Sequence, residues 1–442
     1  MVDGPWSMVN GPWSTPPSLS TVHRLRVGWV AGLASFYPAC RECAHRADVR
    51  LLPPPIARGW NEVLKRSAEP AGFTAEGYEA SSANALSIDD VRVIALALGN
   101  VSWRSQTVAA HVPQVLLGTD GHWSTADLVH AAGEALVWAG CQAVDVGAVT
   151  TAALAFGAQA RGADAALWIG NATGSPHAIS LRCFGPDRPW SSPGGLDAVR
   201  DLFAARPQRP KRGGGGQLRA DVTEAYLAPL QTWFHALRPL RFVVDTSCEP
   251  WLASMNSLAS GAACEVVPDL GSDAAETLPP PVAESWLQRR LRSLGRRVVA
   301  GGCHFGLWVD GAGESCRLVD ERGHSVDGEK LCRLLARRVC QERSGAVVAL
   351  EPAAHRDTRR ALETLGASVV LSGETREATS RAIEESGAAF AAGPSGRFYF
   401  AGHSPAPDAM LATSLLLSIL SQSDRPLSDV LDEASAVGYK GH

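Results

Sequence analysis

Leu167-Trp168-Ile169-Gly170-Asn171-Ala172-Thr173-Gly174-Ser175-Pro176 ends an alanine-rich apolar run and opens a glycine-bearing loop. Upstream, Val115-Leu116-Leu117-Gly118-Thr119-Asp120 reads as a buried strand, and residues 125–139 carry apolar side chains at helical spacing with Gly140 as their stop. Residues 143–146 read as a second strand, 151–162 as a second helix and 165–169 as a third strand. Right-handed crossovers turn that alternation into a parallel sheet. Loops at the carboxyl ends of such strands carry the chemistry of α/β proteins, so the loop after Gly170 is the first place to seek a site.

The alternation continues downstream. Arg206-Pro207-Gln208-Arg209-Pro210 through Gly213-Gly214-Gly215-Gly216 reads as a flexible junction. Beyond it, strands are expected at 240–244, 265–267 and 298–300, with a helix at 283–294. Helices at 328–341, 358–365 and 408–421 and strands at 346–350 and 368–371 complete a series of three α/β units.

The wording of several loops resembles the α-D-phosphohexomutase family (phosphoglucomutase, phosphomannomutase and phosphoglucosamine mutase) from about residue 73 to about residue 435. Phe184-Gly185-Pro186-Asp187 matches the family's Phe-Gly-Pro-Asp. That anchor sets Ala172 where the family's Thr-Ala-Ser-His-Asn-Pro has a serine, which as phosphoserine exchanges a phosphoryl group with a sugar phosphate. A methyl group cannot carry a phosphoryl group. Thr173 and Ser175 are weak substitutes, since a misplacement of about 1 Å can cost on the order of a hundredfold in rate. His177 reads as an exposed loop residue.

The remaining motifs match in outline and depart in their charged residues. Phe73-Thr74-Ala75-Glu76-Gly77-Tyr78-Glu79-Ala80 stands where the family has Phe-Gly-Thr-Ser-Gly-Ile-Arg-Gly, so Glu79 replaces an arginine. Gly118-Thr119-Asp120-Gly121-His122-Trp123-Ser124 stands for Gly-Arg-Asp-Thr-Arg-x-Ser; Asp120 remains and both arginines are gone, with the paired donors that suit phosphate. Val309-Asp310-Gly311-Ala312-Gly313-Glu314-Ser315 resembles the Mg2+ loop Asp-Gly-Asp-x-Asp-Arg, with Asp310 kept, Ala312 in place of the second aspartate and Glu314 as a stand-in for the third. Two carboxylates make a weak site for a cation that prefers octahedral oxygen ligands, so no cofactor is expected, and Mg2+ only if activity is retained. Ala391-Ala392-Gly393-Pro394-Ser395-Gly396-Arg397 resembles the sugar-reading Gly-Gly-Glu-x-Ser-Gly loop, with Gly393 at the glutamate. The resemblance therefore implies vestigial metal ligands at Asp310 and Glu314 and substrate contacts at Asp120, Ser395, Gly396 and Arg397, with no catalytic nucleophile.

The expected fold is α/β: three tandem phosphohexomutase-like domains (71–206, 217–308 and 309–435) with mixed, mainly parallel sheets. An irregular, poorly ordered extension (1–70) precedes them, and the family's fourth domain finds no place before His442. A length of 442 residues and 45% hydrophobic content suit several well-formed cores. With 41 basic and 45 acidic residues, the chain has no electrostatic footprint for nucleic acid, and Arg289-Arg290-Leu291-Arg292 and Arg296-Arg297 read as a solvated helix face. Ten cysteines scattered in apolar elements suggest reduced thiols in the cytoplasm, and Cys40-Arg41-Glu42-Cys43, near His45, lacks the second pair of a zinc ribbon. Residues 27–37 follow Arg24 and Arg26 in the order of a signal peptide, but Tyr37-Pro38-Ala39 is a poor cleavage site; no segment is long and apolar enough to span a membrane. The leading expectation is an inactive member with a scaffold or regulatory role in carbohydrate metabolism, partnered by a protein such as an active paralogue. The alternatives are a working mutase with substituted residues and a sugar-binding module that takes a sugar phosphate.

Overall fold

A computed structural model describes residues 71–80, 86–105, 111–173, 178–210, 212–213, 215–269 and 285–436. The readings of the first 70 residues, of Ser175 and of His177 fall outside them.

The first sheet is built on β3 (Gln114–Thr119), flanked in parallel by β4 (Gln142–Ala148) and β5 (Ala165–Gly170). β7 (Gly216–Arg219) extends it beyond β4, while β6 (Ile179–Phe184), β2 (Gly77–Ala80) and β1 (Gly72–Thr74) extend it antiparallel beyond β5. Helices α1 (Ile88–Ser105), α2 (Ala126–Trp138), α3 (Thr151–Arg161) and α4 (Gly195–Ala204) accompany these strands. α3 starts where the Thr150 hydroxyl accepts the Ala153 amide at 3.1 Å and ends at Gly162, whose φ of 62° suits glycine. Both faces of the sheet are covered at its centre, which is why β5 is apolar and buried at every position. Leu117, Leu167 and Ile169 face α1 and α2, whereas the alternate residues Leu116, Val144 and Trp168 point into a second core.

The second sheet runs β11-β10-β8-β9, with β8 (Leu240–Thr246), β9 (Cys264–Pro268) and β10 (Phe305–Val309) parallel and β11 (Cys316–Asp320) antiparallel to β10. Helices α5 (Thr223–Gln231), α6 (Glu249–Ala259) and α7 (Trp286–Gly301) belong to this part. The third sheet, β13-β12-β14-β15, has β12 (Val347–Leu350), β13 (Ser368–Leu371) and β14 (Phe390–Ala392) parallel and β15 (Phe398–Phe400) antiparallel. Helices α8 (Gly328–Glu342), α9 (Arg356–Thr364), α10 (Arg376–Ser386), α11 (Ala409–Leu420) and α12 (Leu427–Ala436) surround it. Trp168 of the first sheet, Phe242 and Leu307 of the second and Val348 and Leu416 of the third unit belong to one continuous buried cluster. The three units thus share apolar packing instead of hanging on linkers.

Three expectations are corrected. Residues 298–300 are the last turns of α7, not a strand: Leu291, Leu294 and Val298 are buried at helical spacing, while Val299 is 55% exposed. The divisions at 217 and 309 do not follow the sheets, because β7 joins the first sheet and the Asp310 loop lies inside the β10–β11 hairpin of the second. The arginines of α7 are not merely a solvated face, since Arg290 donates from Nε to the buried Asp245 at 2.9 Å and Arg297 pairs with Asp269. Among the described residues no helix is long and apolar enough to cross a membrane. The eight described cysteines are free, and burial pushes thiols such as Cys141 and Cys316 up to about 12, which makes them poor nucleophiles.

Candidate functional site

The loops after β3, β5 and β10 meet, and the last of them reaches Arg376 at the amino terminus of α10. Asp120, at the end of β3, is 4% exposed. Its Oδ1 accepts the His122 amide at 2.9 Å and the Thr125 hydroxyl at 3.2 Å, and its Oδ2 accepts the Asn171 amide at 2.9 Å. The aspartate therefore fastens the β3 loop to the β5 loop. Ala172 follows directly, 5% exposed and part of the shared apolar cluster. Thr173 is exposed, its hydroxyl donating to Asn171 Oδ1 at 3.2 Å.

The loop between β10 and β11 is drawn inward from every side. The carbonyl of Ala312 accepts both the amide and the hydroxyl of Thr151, at 3.1 and 3.2 Å, and the carbonyl of Gly313 accepts the Ala409 amide at 3.1 Å. A Cβ built on Gly311 would collide with the carbonyl oxygen of Asn171. Gly311→Ala is accordingly expected to lower stability by about 1–3 kcal/mol, the cost of forcing extra atoms into a packed interior. Urea unfolding of the purified variant checks it; an unchanged midpoint would mean that the two loops are not in contact.

Asp310 spends its oxygens within this loop. Oδ1 accepts the Glu314 amide at 2.8 Å, and Oδ2 accepts the Ser315 amide at 3.0 Å and hydroxyl at 2.6 Å. Burial, and then the negative charge of Glu314, push its carboxyl up to about 6. Glu314 is 3% exposed; burial alone would raise it, but Arg376, Arg397 and Arg182 outweigh that and hold it below the usual carboxylate range.

Arg376 is fully buried and joins the units. Its Nε donates to Glu76 Oε2 at 2.7 Å, its Nη1 to Glu314 Oε1 at 2.7 Å, and its Nη2 to the carbonyl of Glu76. Glu76, in the turn between β1 and β2, also accepts Arg397 Nη1 at 3.1 Å and the Ser191 hydroxyl at 3.0 Å. Burial raises this carboxyl, but Arg376 and Arg397 prevail and take it down to about 2. Glu79, expected as a bare charge reversal, pairs with the buried Arg182 at 2.7 Å. The site is therefore not short of basic residues, as the motifs alone suggest. Arg182 and Arg376, both buried, and Arg397 each pair with a carboxylate of the same chain.

The 393–397 loop is likewise turned inward. The Ser395 amide donates to Glu351 Oε2 at 3.0 Å and its hydroxyl to Glu351 Oε1. Gly396, at φ 76°, leaves room for Arg317, whose Nη2 donates to the carbonyl of Pro394 at 3.1 Å. A Cβ on Gly393 would press against Glu351 Oε2, so a side chain at 393 and the Glu351 carboxylate compete for one space. Of the residues expected to hold substrate, Asp120, Ser395 and Gly396 serve the loops and Arg397 serves the ion-pair cluster.

A divalent cation does not fit. Asp310 accepts three internal hydrogen bonds, Glu314 faces a guanidinium, and Ala312 supplies only a buried methyl. Among the described residues no group of three or more His, Cys, Asp or Glu could hold a metal ion. Arg376 and Glu76 are the residues that sequence reasoning misses. Glu76 stands inside a recognisable motif without an assigned part, and Arg376 follows a Gly-Glu-Thr turn that resembles no catalytic signature.

Comparison with known proteins accords with this architecture. A phosphoglucomutase/phosphomannomutase α/β/α domain I model matches residues 71–176, and the domain III model of the same series matches residues 327–437. The phosphoglucosamine mutase of Gluconacetobacter diazotrophicus is 27% identical over 356 residues, covering 76% of each chain. That of Rubrobacter xylanophilus is 26% identical over 328 residues, covering 72% of this chain and 70% of its own. Among solved structures, a phosphoglucomutase/phosphomannomutase family protein from Burkholderia thailandensis superposes with a TM-score of 0.70 at 22% identity, over 82% of this chain and 79% of that one. A putative phosphomannomutase from Thermus thermophilus does so with a TM-score of 0.70 at 16% identity, over 84% of each. The domain models, the relatives that span most of the chain and the shared fold agree: this chain belongs to the α-D-phosphohexomutase family.

Proposed function

We propose that this family member has given up phosphoryl transfer and works as a cytoplasmic scaffold or regulator in carbohydrate metabolism, an active paralogue being the kind of partner it would contact. The observation that carries the inactive reading is Ala172, a buried methyl just past the carboxyl end of β5, where the motif resemblance sets the family's phosphoserine. The ion pairs of Arg376 with Glu76 and Glu314 support it, because they fill the neighbouring space with charges already paired. Loss of one electrostatic contact to a transition state costs about 10²–10³ in rate, and among the described residues Ala172 offers no nucleophile, Ala312 no metal ligand, and Arg182, Arg376 and Arg397 are already paired.

The test is a coupled assay with glucose 1-phosphate, mannose 1-phosphate and glucosamine 6-phosphate in the presence of Mg2+. Wild type and Ala172→Ser are both expected to show no turnover above a protein-free blank, because a restored hydroxyl still lacks free cationic partners. Turnover by Ala172→Ser would mean that the surrounding pocket is competent. Turnover by wild type, with a phosphate ester found on the exposed Thr173, would establish the substituted mutase instead.

A further inference from the structure

Arg376, at the start of α10, and two side chains beside it set their donors around one carboxylate. Thr375 caps the helix, its hydroxyl accepting the Ala378 amide at 3.2 Å. The Arg376 amide then donates to Glu76 Oε1 at 3.1 Å and the Arg376 Nε to Glu76 Oε2 at 2.7 Å. Arg397 Nη1 at 3.1 Å and the Ser191 hydroxyl at 3.0 Å complete the set around the same group. A helix amino terminus, two guanidinium groups and a hydroxyl are the donors that suit a tetrahedral oxyanion. A reserve of donors lies close by: Arg182 is 5% exposed, and its Nε and Nη1 are buried without a hydrogen-bond partner.

We infer that the first turn of α10 with Arg376, Arg397 and Ser191 is an anion-binding cradle occupied by the chain's own Glu76 carboxylate, and that a phosphate-type oxyanion takes it once that carboxylate is withdrawn. Glu76 is delivered by the short β1–β2 turn at the edge of the first sheet, so the occupant is tethered and outcompetes a dissolved anion. The cradle shares its residues with the inactive reading, but the two fail separately: sugar-phosphate turnover tests that reading, and anion binding tests this one.

The experiment compares wild type with Glu76→Gln in the full chain, by thermal melts in rising inorganic phosphate against sodium chloride of equal ionic strength. Glu76→Gln is expected to show a saturable, phosphate-dependent rise of more than about 3 °C, and wild type none, because only an empty cradle gains by mass action. The double variant Glu76→Gln/Arg376→Gln should lose the rise. No phosphate-specific rise in Glu76→Gln, or an equal one in wild type, overturns the proposal. If Glu76→Gln does not refold in chloride, recovery of its native far-UV spectrum in phosphate supports the cradle, and equal failure in both salts overturns it.

Discussion

Arg376→Ala is expected to lower the free energy of unfolding by about 3–5 kcal/mol, the range for deleting one partner of a buried ion pair. The side chain is fully buried, and its removal leaves Glu314, itself 3% exposed, and Glu76 without their nearest cation. Charge, not volume, is the larger part, so Arg376→Met should lose nearly as much although it refills the space with apolar atoms. The variant Arg376→Met/Glu76→Gln/Glu314→Gln should recover most of the loss, since a buried cluster replaced as a whole often costs little. Arg381→Ala is the control: Arg381 is 49% exposed and pairs with Glu377 one turn away, an arrangement that contributes about 0.3–0.5 kcal/mol. Urea unfolding followed by tryptophan fluorescence gives the comparison, on the first transition if the units unfold separately. A loss below about 1 kcal/mol for Arg376→Ala would mean that water screens the cluster and that it does not hold the units together.

How much of this is legible in the sequence depends on the kind of signal. The strands around Leu116 and Trp168 announce themselves because a sheet covered on both faces needs nearly continuous apolar runs. Residues 298–300 mislead for the same reason, since three apolar residues in a row satisfy a strand as well as a helix end. The spacing of Leu291, Leu294 and Val298 and the closing Gly302 at φ 57° decide for the helix. A division at residue 309 cuts through the β10–β11 hairpin because a motif boundary is not a sheet boundary; only backbone pairing shows that Val309 and Cys316 are partners. At the site, the alanine at 172 can be read from the sequence alone. The ion pairs cannot, because Glu76 and Arg376 lie 300 positions apart and nothing in either local pattern points to the other.

Acid should unfold this protein through Glu76. Its carboxyl is held at about 2 against an ordinary 4.5, so the folded state binds its proton less readily than the unfolded chain does. A depressed carboxylate contributes stability above its unfolded value and loses it as the pH falls toward the folded one. The window is therefore about 4.5 to 2, and the linked loss is about 3 kcal/mol. Glu314, also held below its usual range, adds to the same limb. Asp310 acts in the opposite sense: raised to about 6 from 3.8, it binds a proton more readily when folded, so its term favours the native state as the pH falls from 6 to 3.8. Urea midpoints for wild type should hold or rise between pH 7 and 5 and drop steeply below 4.5. Asp310→Asn should remove the upper rise and Glu76→Gln should flatten the lower fall, whatever each does to stability at neutral pH. A wild-type curve that Glu76→Gln leaves unchanged below pH 4.5 would show that the acid limb belongs to other carboxylates and that Glu76 is not held by Arg376 and Arg397 in solution.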